Sequence, residues 1–139
     1  MIRYDYLWDS EQFQWADGEK FRPCAVVVAI KETNDAPLRA MVCGITHSSP
    51  RPPSDGIEIP LPVKQHLGLD DQPSWIITSE FNLVDWNDPG IIPTPAGKPE
   101  YGYLPPALMS EVNRRMCERS RVGDLEKVNR TGPAKSREA

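Results

Sequence analysis

Fifteen prolines interrupt this 139-residue chain, most of them in two clusters, at residues 50–62 and 89–106. Proline fixes φ and lacks a backbone N–H, so helix interiors and central strands reject it. The middle of the chain is therefore restricted to short extended pieces joined by rigid loops. That predicts a mainly β fold with short helices, built as one domain.

Regular elements are expected where proline is absent or sits at an element's edge. Residues 2–8 alternate, with Ile2, Tyr4 and Tyr6 on one side and Arg3 and Asp5 on the other. This is the pattern of a half-buried strand. It starts with the chain and is expected to be a shortened one. Residues 9–20 are polar and read as a loop. Residues 22–30 give the strongest strand signal, because Val26, Val27 and Val28 are β-branched and continuous. Burial on both faces is expected there. Residues 38–46 follow after a short loop containing Asn34-Asp35, so the two strands should pair antiparallel. Shorter strands are predicted over 57–61, 74–79 and 83–86. Residues 62–69 read as one or two helical turns stopped by Gly68. The clearest helix opens at Pro105-Pro106. Its Leu104, Leu108, Val112 and Met116 step by four and turn one apolar face to the core. No stripe persists after Val122. The expected division is a domain over 1–121 and a polar, flexible tail over 122–139.

Charge narrows the function classes. The net charge is -4 and the isoelectric point is near 5.2. A non-specific nucleic-acid binder usually shows a broad basic surface, which this balance disfavours. A local phosphate site remains compatible with it. Residues 51–100 carry three bases against eight carboxylates, and residues 101–139 carry eight bases against five. The three cysteines include no C-x-x-C, and Cys24 and Cys43 lie in apolar strands. They read as reduced thiols rather than a disulfide framework or a zinc site. Neither a P-loop nor a dinucleotide fingerprint occurs. There is no apolar run of membrane-spanning length, and the start is too polar for a secretory signal. A cytoplasmic protein is expected.

The chemistry-bearing residues lie at the ends of the two best strands. Arg22 enters the first, and Thr46, His47 and Ser48 leave the second. In an antiparallel pair those ends meet. A guanidinium offers a planar fork of donors to phosphate oxygens, and hydroxyls add neutral donors to the same anion. His47 is one of two side chains, with His66, whose ordinary pKa lies near neutrality. Strand alternation puts residues 46 and 48 on one face and 47 on the other, unless the strand end twists. A Thr-His-Ser-Ser run before proline is also the pattern of a turn with local side-chain hydrogen bonds. Glu80 and Asn82 follow a buried strand. Tyr101 and Tyr103 are candidates for base stacking or for covering the core.

These segments resemble the PemK/MazF toxins of bacterial toxin–antitoxin systems. The resemblance rests on IRYDYLW near the start, KFRPCAVVVA, ITHSSP, GIEIP followed by VKQHLGLD, SWI with an E-x-N, and YGYLPP opening the last helix. It spans residues 2–120. It implies an SH3-like β-barrel with a C-terminal helix, usually a homodimer. It further implies an endoribonuclease that needs no metal or cofactor and cuts single-stranded RNA to a 2′,3′-cyclic phosphate and a 5′-hydroxyl. The family's catalytic arginine falls on Arg22, as phosphate clamp and proton donor, and its catalytic threonine on Thr46. Its acidic position falls on Glu80. The partner implied is an antitoxin whose disordered tail folds into the RNA groove. Many relatives carry a base after the acidic position. Here Phe81, Asn82 and Leu83 supply none, so Lys20 or Arg51 is expected to contact phosphate, with His47, Ser48, Glu80 and Asn82 in support. The competing reading is a non-catalytic barrel that binds a protein target, as the related gyrase-poisoning toxins do, or a degenerate relative. The acidic balance and Trp8, Trp15, Trp75 and Trp86 favour it.

Overall fold

The computed structural model describes residues 1–4, 6, 8, 22–31 and 33–128. Among the described residues eight strands and two α-helices follow in chain order: β1 (Ile2–Tyr4), β2 (Arg22–Ile30), β3 (Arg39–Thr46), β4 (Gly56–Glu58), α1 (Leu61–Leu67), β5 (Trp75–Ile77), β6 (Glu80–Asp85), β7 (Ile91–Ile92), α2 (Pro106–Arg121) and β8 (Glu126–Val128). A short 3-10 turn, Pro53–Asp55, precedes β4.

The β2–β3 hairpin is the spine, with Cys24 opposite Gly44 and Ile30 opposite Arg39. β3 is shared. One edge pairs with β2, and the other takes β6 at Arg39 to Val42 and β5 at Ile45 and Thr46. The sheet then extends antiparallel through β1 to β7 on one side and to β4 on the other. Among the described residues β8 alone joins in parallel, on β6. Among the described residues β4, β7 and β8 each have one neighbour, so the sheet is open.

Strand alternation sorts the core into two layers. Ala25, Cys43, Ile45 and Ile76 pack with Leu67 of α1, Leu104, and Val112 and Met116 of α2. Their neighbours in sequence, Cys24 and Val42, point the other way and pack with Ile2, Tyr4, Tyr6 and Val84. Each fully buried branched or aromatic side chain adds about 1.5–3 kcal/mol. α2 starts where Pro106 tolerates the missing N–H, and its four-residue apolar step faces the first layer. Its polar face is fastened as well. Arg115 Nη1 donates to the Gly56 carbonyl at 3.0 Å, and Arg119 pairs with Asp55 and Asp124. Cys24 and Cys43 are buried free thiols, and Cys117 on α2 is exposed. No helix among the described residues is long and apolar enough to cross a membrane.

Several expectations need correction. Pairing in the first strand stops at Tyr4, although Tyr6 is still fully buried. β2 is buried on both faces only near Cys24 and Ala25. A bulge between Val26 and Val28 breaks the alternation, and beyond it Val28 and Ala29 are exposed. Strand β6 starts at Glu80 rather than at residue 83. Residues 126–128, expected in the tail, form β8 and bury Val128 against the sheet. The loop expected at 9–20 and the tail beyond 128 lie outside the described residues.

Candidate functional site

The register that sets Cys24 opposite Gly44 brings Arg22 opposite Thr46 when continued two residues to the start of β2 and the end of β3. The two side chains line one cavity of about 250 Å³, together with His47, Ser48, Asp70 and Ser74. β3 ends here for a local reason. The Ser48 N–H donates to Thr46 Oγ1 at 3.0 Å, and this side-chain turn curls the backbone out of the strand. Residues 46, 47 and 48 therefore need not alternate, and all three reach the same space.

Arg22 is held by an aromatic platform. Its guanidinium carbon lies 4.9 Å from the centre of the Trp8 ring. Such a cation–π contact is worth about 0.5–2 kcal/mol. Trp8 in turn leans on Tyr6, with ring centres 4.6 Å apart and planes tilted by 58°. Gly44 makes the seat: a Cβ there would lie 2.6 Å from the indole.

His47 is steered from another direction. Its Nε2 lies 2.9 Å from Asp70 Oδ2. The other carboxylate oxygen accepts from Lys64 Nζ at 3.3 Å and from the Gln72 N–H at 3.1 Å. Lys64 is only 2% exposed, a burial that an ammonium tolerates when paired. The helix stop builds this arrangement. Gly68 adopts φ 72°, and the Leu69 N–H returns to the Lys64 carbonyl at 2.9 Å, folding Asp70 back over α1. Partial burial pushes the Asp70 carboxyl up. The hydrogen bonds from His47, Gln72 and Lys64 outweigh that and leave it below its ordinary value.

Not every expected site residue gathers here. Arg51 is exposed and lines an adjoining cavity of about 430 Å³, which shares Thr46 and Ser48 with the first and also takes in Trp8. Glu80 lines a different cavity, beside Ser79, Asp55 and Arg119. Its Oε1 accepts from the Tyr6 hydroxyl at 3.3 Å. Burial, with the Glu80 charge added, pushes the Tyr6 hydroxyl well up and the Cys43 thiol up to about 12. Asn82 is fully buried within β6, between Val42 and Val128. Lys20 lies outside the described residues. Tyr101 is partly buried against the core, whereas Tyr103 is 83% exposed.

Asp70, Lys64 and Trp8 were not anticipated as site residues. A signal for Lys64 did exist, because it falls three residues before Leu67 on the apolar side of α1. A lysine there requires a nearby acid. Among the described residues no three His, Cys, Asp or Glu side chains gather as metal ligands would. No family model, curated protein or solved structure matches the chain.

Proposed function

We propose that this chain is a metal-independent endoribonuclease, the toxin of a type II toxin–antitoxin pair, acting on single-stranded RNA. The observation that carries the reading is the shared cavity of Arg22 and Thr46 at the facing ends of β2 and β3. On this reading the mainly antiparallel sheet with α2 against it is a variant of the SH3-like barrel. The protein works in the cytoplasm as a homodimer, and its antitoxin covers the groove that takes RNA.

RNA carries its own nucleophile, so the protein need only position it and stabilise charge. The 2′-oxygen attacks phosphorus, the P–O5′ bond breaks, and a 2′,3′-cyclic phosphate and a 5′-hydroxyl result. Arg22 clamps the non-bridging oxygens, where negative charge builds. Thr46 Oγ1 already accepts the Ser48 N–H, so its own hydrogen serves the cavity side. It donates to the same phosphorane. Arg51 lies in the adjoining cavity, within the path a flanking phosphate would follow.

The test uses the purified protein on a long single-stranded RNA with a chelator present. Cleavage to cyclic-phosphate and 5′-hydroxyl ends is expected, falling about 100-fold or more in Arg22→Ala and in Thr46→Ala. Intact RNA would overturn the reading. The rival reading, protein binding without catalysis, draws on the 42% exposure of Trp86 and the 83% exposure of Tyr103. Intact RNA together with a stable complex with topoisomerase would select it.

A further inference from the structure

We propose that His47 is the proton acceptor of this site, that Asp70 is its positioning residue, and that buried Lys64 sets how strongly Asp70 acts on it. This rests on the ribonuclease reading and adds to it the group that activates the 2′-hydroxyl.

The argument begins with the hydrogen bonds. A carboxylate only accepts, so the 2.9 Å contact requires the hydrogen to sit on Nε2 of His47. Nδ1 is then the basic nitrogen. The ring lines the cavity shared by Arg22 and Thr46, the place that the ribonuclease reading gives to the phosphate. The side-chain turn at Thr46 and Ser48 carries it there, and Asp70 keeps it from rotating freely. Three charged groups bear on the ring: Asp70 directly, Lys64 through Asp70, and Arg22 across the cavity. Lys64 divides the carboxylate's attention. Nε2 of His47 lies 2.9 Å from Oδ2 and 3.1 Å from Oδ1, and Oδ1 is shared with the ammonium of Lys64, which has almost no access to water.

The proton count closes without another reactant. Nδ1 takes the 2′-hydroxyl proton as the O2′–P bond forms. Water protonates the departing 5′-oxygen, and the resulting hydroxide takes the proton back from the imidazolium. Arg22 stays charged throughout, as a guanidinium should.

A base must be neutral to act, so protonation of the ring stops the step and the rate falls toward acid pH. Asp70 orients the ring without touching the substrate, so its removal should lower kcat and leave KM nearly unchanged. A merely structural role for the pair predicts no such split.

The experiment measures kcat/KM against pH for RNA cleavage by wild type, His47→Gln, Asp70→Asn and Lys64→Met. It also reads the tautomer and mobility of the His47 ring by NMR in the wild type and the last two variants. His47→Gln should lose the acidic limb and about 100-fold to 10,000-fold in rate. Added imidazole should restore part of the activity of His47→Ala. Asp70→Asn should lower kcat with little change in KM, and Lys64→Met should lower kcat less. Full activity with an unchanged profile in His47→Gln, alongside an inactive Arg22→Ala, would overturn this proposal and leave the ribonuclease reading standing. Wild-type kcat in both Asp70→Asn and Lys64→Met would remove their assigned roles. Intact RNA with the wild type would end both readings at once.

Discussion

Two arginine-bearing regions of the molecule differ in what holds their charge. On α2, Arg114 and Arg115 share Glu111, Arg114 also reaches Glu118, and Arg119 is clasped by Asp55 and Asp124. These arginines line a cavity of about 550 Å³, larger than the one at the β2–β3 end. At the β2–β3 end, Arg22 lies over an indole face and opens onto hydroxyls and an imidazole. The larger and more basic cavity is thus the worse candidate for an anion. Its guanidinium donors are spent on carboxylates that tie α2 to the turn before β4.

The sharpest way to break this contrast is to remove one arginine from each region. Arg22→Ala should abolish most RNA cleavage and cost about 0.5–2 kcal/mol of stability through the lost Trp8 contact. Arg119→Ala should leave cleavage intact and cost about 1–3 kcal/mol of stability, because it strands a partly buried Asp55. Denaturant titration and a cleavage assay on both proteins check the pair. Equal loss of activity in the two would erase the distinction.

A smaller effect is expected from the platform beneath Arg22. Gly44→Ala puts a methyl group into the indole and should cost about 1–3 kcal/mol. It should also lower cleavage by tilting Arg22. Adding Trp8→Ala should relieve the clash, so the double variant should be more stable than the sum of the single changes predicts. Strict additivity would show that the two residues do not meet.

The smallest effect separates the regions by pH. The side-chain hydrogen bonds from Arg114 and Arg115 hold the Glu111 carboxyl at about 2, against an ordinary value of 4.5. A depressed folded value stabilises above the unfolded pKa, and that contribution fades as pH falls from about 4.5 toward 2. Glu111 is at the surface, so the change should be slight. Acid unfolding of Glu111→Gln should show a shallower loss across that window, with cleavage near neutral pH unaltered.

How legible these regions are in the sequence follows from how local their causes are. β2, β3 and α2 are readable because their apolar patterns are long and their boundaries carry proline or polar residues. Gly68 announces the end of α1 by chemistry alone. β8 is not readable, since Glu126-Lys127-Val128 offers one apolar residue and relies on β6 for its pairing. The buried position of Asn82 is hidden for the same reason, because it depends on neighbours from β3 and β8. At the candidate site, Arg22 and Thr46 are visible through their places at strand ends, and His47 through its pKa. Asp70 comes from a loop with no periodicity, and the patterns around Lys64 and Trp8 point to the core rather than to the cavity. Only the folded backbone carries them there.

The thiols offer a practical consequence. Cys24 is enclosed and Cys43 stays protonated at neutral pH, while Cys117 meets solvent on α2. A maleimide dye should therefore attach at one place in the native protein without any cysteine being engineered. That single fluorescent handle would report tumbling, self-association or capture by a partner in solution.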